Sequence, residues 1–237
     1  MTNPPPLRLA ATCIPIRSRS TTPLEVLMVR RNPELSFGGL WTFPGGVFED
    51  GDGPAPTAPD EGTENWGHPQ LLATAANAAV RETREETALE CDTSSLVWFS
   101  HWIPPVVGPP KRFATWFFLA PEHRGEIVVD QDENEEARWV QPADALAQSS
   151  SGEFPLAIPT WITLDDLRVS QSIPHLVDHC ITQGAMQKRT RAFPGKDESV
   201  ICWPGDAAYE ADTPDVPGAR DRVRATPRGS VIERIRG

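Results

Sequence analysis

The sequence predicts a mixed α/β (α+β) fold, a sandwich in which a mixed sheet lies between helices. Three observations carry this. Short apolar runs both precede and follow one long Ala-rich segment of helical periodicity, and further helical segments come later in the chain. The 25 prolines among 237 residues scatter turns throughout and argue against a helical bundle or coiled coil. The 39% apolar content supplies a core for one large domain, read here as 1–237.

Leu7–Ile16 and Glu25–Arg31 read as strands, the second around the apolar run Val26-Leu27-Met28-Val29. A glycine-rich stretch, Phe37 to Gly46, follows. Residues 51–70 are rich in Gly, Pro and acids and read as a loop or insertion, placed at about 53–73. Leu71–Leu89 reads as the long helix, with Leu72, Ala76, Ala79, Val80 and Thr83 on one face. Strands are expected at Ser95–Trp102, Arg112–Ala120 and Ala137–Val140. Helices are expected at Pro142–Ala147, Pro159–Arg168 and Ile173–Gln183, the last ended by Gly184. From about residue 185 an elaborated extension mixes turns with the strands Val200–Trp203 and Ser230–Arg236.

The formal charge is −11, which argues against a general binder of nucleic acid or anionic membrane. The acidity is concentrated. Residues 49–80 hold six acids and no Lys or Arg, 82–92 hold five acids and one Arg, and 130–136 hold five acids and no base. No window approaches a membrane span, and the N-terminus lacks a secretory pattern. Cys13, Cys91, Cys180 and Cys202 form no C-x-x-C pair, so buried free thiols in a cytoplasmic protein are expected.

The chemistry is expected on the long helix. In Arg81-Glu82-Thr83-Arg84-Glu85-Glu86, the three carboxylates at i, i+3 and i+4 lie on one side and repel one another. Hard oxygen donors clustered this way suit Mg²⁺ or Mn²⁺; the alternative is a solvated acidic face paired with Arg81 and Arg84. His175 and His179 also stand at i, i+4, but no third ligand is evident, and packing or surface is the default reading. The eight Trp are mainly core, with Trp41 or Trp102 as candidates to stack on an adenine.

Phe43-Pro44-Gly45-Gly46, followed by Arg81-Glu82-x-x-Glu85-Glu86, resembles the Nudix box, G-x5-E-x7-R-E-U-x-E-E-x-G-U. Gly46 matches the first Gly, while Asp52 stands where the family has Glu. Thr83 replaces an aliphatic residue and Ala88 the second Gly. Residues 53–80 occupy a spacer that is seven residues long in the family, so the box is split. Closure entropy grows slowly with loop length, about 0.6 kcal/mol per doubling, so an insertion there is tolerable. Asp52 is expected to act mainly as a turn former in Asp50-Gly51-Asp52-Gly53.

A split box, with patches such as His101-Trp102-Ile103-Pro104 and Ala137-Arg138-Trp139-Val140, is similar to the branch of peroxisomal coenzyme A diphosphatases. Leu27, Arg30 and Gly39 fit that branch's substrate motif. Leu35 stands where an Arg is expected, which leaves the substrate open.

The resemblance implies a Nudix-like α/β/α sandwich and a divalent-metal-dependent hydrolase. It would cleave the diphosphate linkage of a nucleoside diphosphate derivative, with coenzyme A or acyl-CoA one candidate. It implies Gly45, Glu82, Glu85 and Glu86 as metal ligands for Mg²⁺ or Mn²⁺, and Arg81 orienting the glutamates. Glu85 counts among the catalytic residues with Arg81 and a general base from outside the box. Glu133, Glu135 and Glu136 are the candidates for that base, with Glu133 favoured. Glu49 is left open as an assisting carboxylate. Arg30, Arg31, Lys111 and Arg112 are candidate phosphate-binding cations. The expected partner is a small nucleotide diphosphate, with neither nucleic acid nor membrane, and a homodimer is left open. The competing reading is a catalytically weak nucleotide sensor or scaffold, motivated by Asp52, Thr83, Ala88 and the stretched spacer.

Overall fold

The computed structural model describes residues 5–19, 22–35, 37–54, 66–107, 111–170, 172–226 and 229–235. Residues 55–65, the middle of the expected insertion, lie outside the described residues. The fold is mixed α/β, with a large mixed sheet and four helices, as the sequence predicts. The chain divides into two compact units, one within residues 10–99 and 116–185, the other within 1–9, 100–115 and 186–237.

The larger unit is organised on strands β1 (Leu7–Arg19) and β2 (Thr22–Arg31). In β2 Leu24 and Val26–Val29 are all buried, so both faces of the strand are covered. It pairs antiparallel with β1 on one side. On the other it meets β3 (Trp41–Thr42) and, further along the chain, Asn134–Val140. Strand β4 (Gly45–Val47) pairs antiparallel with β1, Thr12 opposite Gly45 and Ala11 opposite Gly46. The glycine-rich stretch thus contains two short strands that its composition concealed.

Helix α1 (Pro69–Thr87) starts on His68, whose ring accepts the Gln70 N–H, with Pro69 at its first position. Its buried face differs from the expected one. Leu71, Thr74, Ala75, Ala78, Ala79, Glu82, Thr83, Glu86 and Thr87 are buried, whereas Leu72, Ala76 and Val80 are half-buried. The face is set by two carboxylates and three threonines as much as by apolar residues, so hydrophobicity alone placed it about one residue out of phase.

Next come β5 (Glu90–Cys91), β6 (Val97–Ile103), β7 (Arg112–Ala120), β8 (His123–Arg124) and β9 (Asn134–Val140). Helices α2 (Pro142–Ser151), α3 (Ile158–Leu167) and α4 (Ile173–Gln183) each begin with Pro in the first turn. Trp41 stacks on Phe154 at 4.3 Å and is buried, so it is core rather than a platform for a base.

In the smaller unit β10 (Met186–Arg189) runs parallel to Ser100–Ile103. A four-stranded antiparallel sheet follows, formed by β11 (Arg191–Phe193), β12 (Ser199–Cys202), β13 (Arg220–Thr226) and β14 (Gly229–Ile235). Strand β13 escapes the apolar pattern because one of its two fully buried residues is Arg222, paired with Asp206, beside Val223. Trp102 packs on Trp203, which makes it core as well. Arg112 is buried and donates to the carbonyls of Pro104 and Pro105, which ties it to backbone rather than to a phosphate.

Candidate functional site

Glu82, Glu85 and Glu86 lie in the last turns of α1, where the negative end of the helix dipole adds to their mutual repulsion. Cations are therefore required. Arg81 donates through Nη1 to Glu82 Oε1 and to Glu85 Oε2, both at 2.9 Å. Arg31, the last residue of β2, donates through Nη1 to Glu86 Oε1 at 2.5 Å and to Glu133 Oε2 at 3.2 Å.

Asp52 carries more than its expected turn. The 3₁₀ turn Asp50–Asp52 is present, closed by the Asp52 N–H on the Glu49 carbonyl. The Asp52 carboxylate is 3% exposed and accepts Arg81 Nε at 2.8 Å and Nη2 at 3.0 Å. It also accepts the Glu49 N–H at 2.8 Å. Arg81 Nη2 donates further to the Val47 carbonyl. The guanidinium thus joins both halves of the split motif. Glu49 is mostly exposed, 3.9 Å from Arg81.

The glycines explain how closely the helix approaches β4. A Cβ on Gly46 would lie 2.3 Å from Glu82 Oε1, so a larger residue there would push this carboxylate aside. The Gly45 N–H donates to Glu86 Oε2 at 3.0 Å. Gly45 and Glu86 thus touch directly, while Glu82 and Glu85 are held by Arg81.

The loop before β9 closes the site. Its Val128 and Asp130 N–H groups donate to the Thr87 and Glu86 carbonyls, satisfying the end of α1. Asn32 N–H donates to the Glu133 carbonyl at 2.9 Å. Glu133 is thereby fixed by backbone near Glu82 and Arg31. Glu135 pairs with Arg30 and Glu136 with Arg138, so neither is drawn to the cluster. Asn134, buried beside Glu86, was not singled out in the sequence; an Asn opening a strand within a run of five acids is its only signal.

Burial dominates the charges. It pushes the Glu86 carboxyl up to about 7, although Arg31, the Gly45 N–H and Asn134 pull the other way. Burial also raises Glu82, against the Arg81 hydrogen bond. Burial opposes ionisation of Asp52 too, but there Arg81 and the Glu49 N–H win and hold it below the usual range. Asp52, followed by Glu82 and Glu85, keeps Arg81 firmly protonated.

The donor types suit a hard divalent cation: carboxylates from one helix end with a glycine backbone beside them. Among the described residues no three His, Cys, Asp or Glu side chains close on one ion position. The carboxylates point at arginines instead. His175 and His179 are both exposed on α4. Cys13, Cys180 and Cys202 are buried and free, and Cys91 is free and half-buried. No helix among the described residues is long and apolar enough to cross a membrane.

Residues 67–158 match the family model of the NUDIX domain. The chain is similar to a NUDIX hydrolase from Alicyclobacillus acidocaldarius, with 24% identity and a TM-score of 0.58 over 73% of this chain and 96% of that one. It is also similar to the NUDIX domain of Shewanella oneidensis NrtR, solved with ADP ribose, with 17% identity and a TM-score of 0.50 over 69% and 87% of the two chains. At these identities the likeness is one of fold. No curated protein sequence matches the chain. The matched segment begins at residue 67, so Gly45, Gly46 and Asp52 lie outside it and only the geometry joins them to it. The match of residues 67–158 to the NUDIX domain model supports an enzyme, a hydrolase acting on phosphorus-containing anhydrides.

Proposed function

We propose that this chain is a divalent-metal-dependent hydrolase that cleaves the diphosphate linkage of a nucleoside diphosphate derivative in the cytoplasm, with coenzyme A or acyl-CoA among its candidate substrates. The reading treats the chain as one Nudix-like domain, 1–237, with an insertion in the box and a C-terminal elaboration. The observation that carries it is the Arg81 clamp, which reaches Asp52 and Val47 before the insertion and Glu82 and Glu85 after it. A surface ion pair has no reason to gather four groups from both sides of a loop.

In this reading Glu82, Glu85, Glu86 and Gly45 hold Mg²⁺ or Mn²⁺. The chemistry such an ion supplies when bound is a more acidic water and charge neutralisation for a diphosphate. Arg81 fixes the directions of Glu82 and Glu85. Glu133, half-exposed and anchored through its backbone, takes the proton from the attacking water. Metal reverses the local sign, so an anionic nucleotide is accepted by an acidic chain.

The test is incubation with coenzyme A, acyl-CoA, ADP-ribose, NADH and diadenosine polyphosphates, with Mg²⁺ or Mn²⁺, followed by chromatography. Diphosphate cleavage that disappears in Glu86→Gln, with folding retained, supports the reading. Tight nucleotide binding without turnover on any substrate replaces it with the sensor.

A further inference from the structure

The two arginines of the site are held in different ways. Arg81 is fixed from three directions by the bidentate Asp52, the Val47 carbonyl and the helix carboxylates. The Arg31 guanidinium instead donates to two carboxylates of unequal burial. Glu86 has 2% of its side chain exposed and Glu133 48%, with the Arg31 side chain between them at 18%.

The strand register places Arg31 there. Along β2 and β9 the partners run Arg30 opposite Glu136 and then Arg31 opposite Asn134, skipping Glu135. This bulge re-aims the end of the ladder next to Glu86. Both Glu86 oxygens are engaged, Oε1 by Arg31 and Oε2 by the Gly45 N–H. A cation arriving at Oε1 has to exchange with the guanidinium. Once released, the guanidinium keeps a partner, because Glu133 already accepts from the same nitrogen on the open side.

We infer that Arg31 is an exchangeable counter-cation: it holds Glu86 in the metal-free protein and gives it up to the divalent ion, so guanidinium and metal compete for one carboxylate. The inference rests on the reading of Glu86 as a metal ligand. A buried carboxylate without a counter-charge is costly, so such an occupant keeps the empty site folded while weakening its hold on metal.

The test is titration of Mn²⁺ into chelator-treated full-length protein, with free Mn²⁺ followed by electron paramagnetic resonance. In Arg31→Met the competitor is gone, and Mn²⁺ affinity is expected to rise about tenfold, within the usual range of site-to-site coupling. The metal-free Arg31→Met protein melts lower than the parent and gains more from Mn²⁺. Equal or weaker affinity in Arg31→Met overturns the inference and leaves the proposed function standing. Failure of both proteins to bind Mn²⁺ overturns both. Should Arg31→Met not fold, nitrogen NMR of the arginine side chains in the parent decides. The signal missing in Arg31→Lys shifts on adding Mg²⁺ if the guanidinium is displaced, and stays in place if the inference is wrong.

Discussion

Arg81 and Asp52 face each other across the break in the motif, with Nε on Oδ1 at 2.8 Å and Nη2 on Oδ2 at 3.0 Å. Their separation along the chain is 29 residues. A side-on pair of this kind fixes the plane of the guanidinium, and Arg81 transmits that orientation to Glu82 and Glu85 through Nη1.

Asp52→Ala is therefore expected to lower turnover by about 10–100-fold, the usual loss when a group that orients ligands is removed. Unfolding free energy falls by about 1–3 kcal/mol, read by urea titration. The folded Asp52 carboxyl sits below its unfolded value of about 3.9, so its contribution is complete above that pH and is lost as pH falls through the lower folded value. Asp52→Asn flattens that part of the acid limb.

Glu86 carries the opposite sign. Its folded carboxyl is pushed up to about 7 by burial, against about 4.3 unfolded. The native state binds the extra proton between these values, so the parent loses stability as pH rises from about 4.3 to 7, by up to ~1.4 kcal/mol per unit. Measured without metal, the stability of the parent relative to Glu86→Gln is highest near pH 4 and falls to a plateau above 7. A flat difference between pH 4 and 8 would show that Glu86 is not a buried carboxylate.

Ala88 caps α1 in the left-handed region, with φ 58° and ψ 6°, its N–H on the Arg84 carbonyl at 2.9 Å. The Nudix pattern has Gly here, and a Cβ in this conformation costs about 1–2 kcal/mol. Ala88→Gly should stabilise the protein by about 1 kcal/mol, the gain in the folded state exceeding the added freedom of the unfolded chain. Thermal unfolding with unchanged turnover is the check.

The four thiols are expected to react unequally. Cys91 is half-buried, and its contact with Cys13 lowers its pKa. The same contact and burial raise Cys13, and burial raises Cys180 and Cys202 to about 11. Iodoacetamide at pH 8 should label Cys91 at least about tenfold faster than the other three, since the thiolate is the reacting form. Peptide mass spectrometry over a time course reads this directly.

Apolar runs revealed β2 and β7 and helical periodicity revealed α1 and α4, although the polar residues buried along α1 hid which of its faces turns inward. Strands β3 and β4 were illegible: Gly45 and Gly46 have no side chain to betray a pleat, and their value lies in the room they leave for Glu82. Arg222 hid β13 in the same way, a charge placed where a core residue is expected. Within the site, Glu82, Glu85, Glu86 and Arg81 could be read from their spacing on one helix. Asp52 was undervalued because Asp-Gly-Asp-Gly explains itself locally as a turn, and its second partner lies across the insertion. Arg31 was one of four interchangeable arginines and lysines until the register of β2 with β9 set it beside Glu86.

The described chain on either side of residues 55–65 is seated firmly. Asp52 is locked to Arg81, and Trp66 is buried against Trp116, its carbonyl taking the indole N–H of Trp116 at 3.2 Å. The contacts that hold the carboxylate cluster, among the described residues, all come from outside 55–65. Spacing along the chain and closeness in the fold part company here: Asp52 and Arg81 are distant in sequence yet joined side-on.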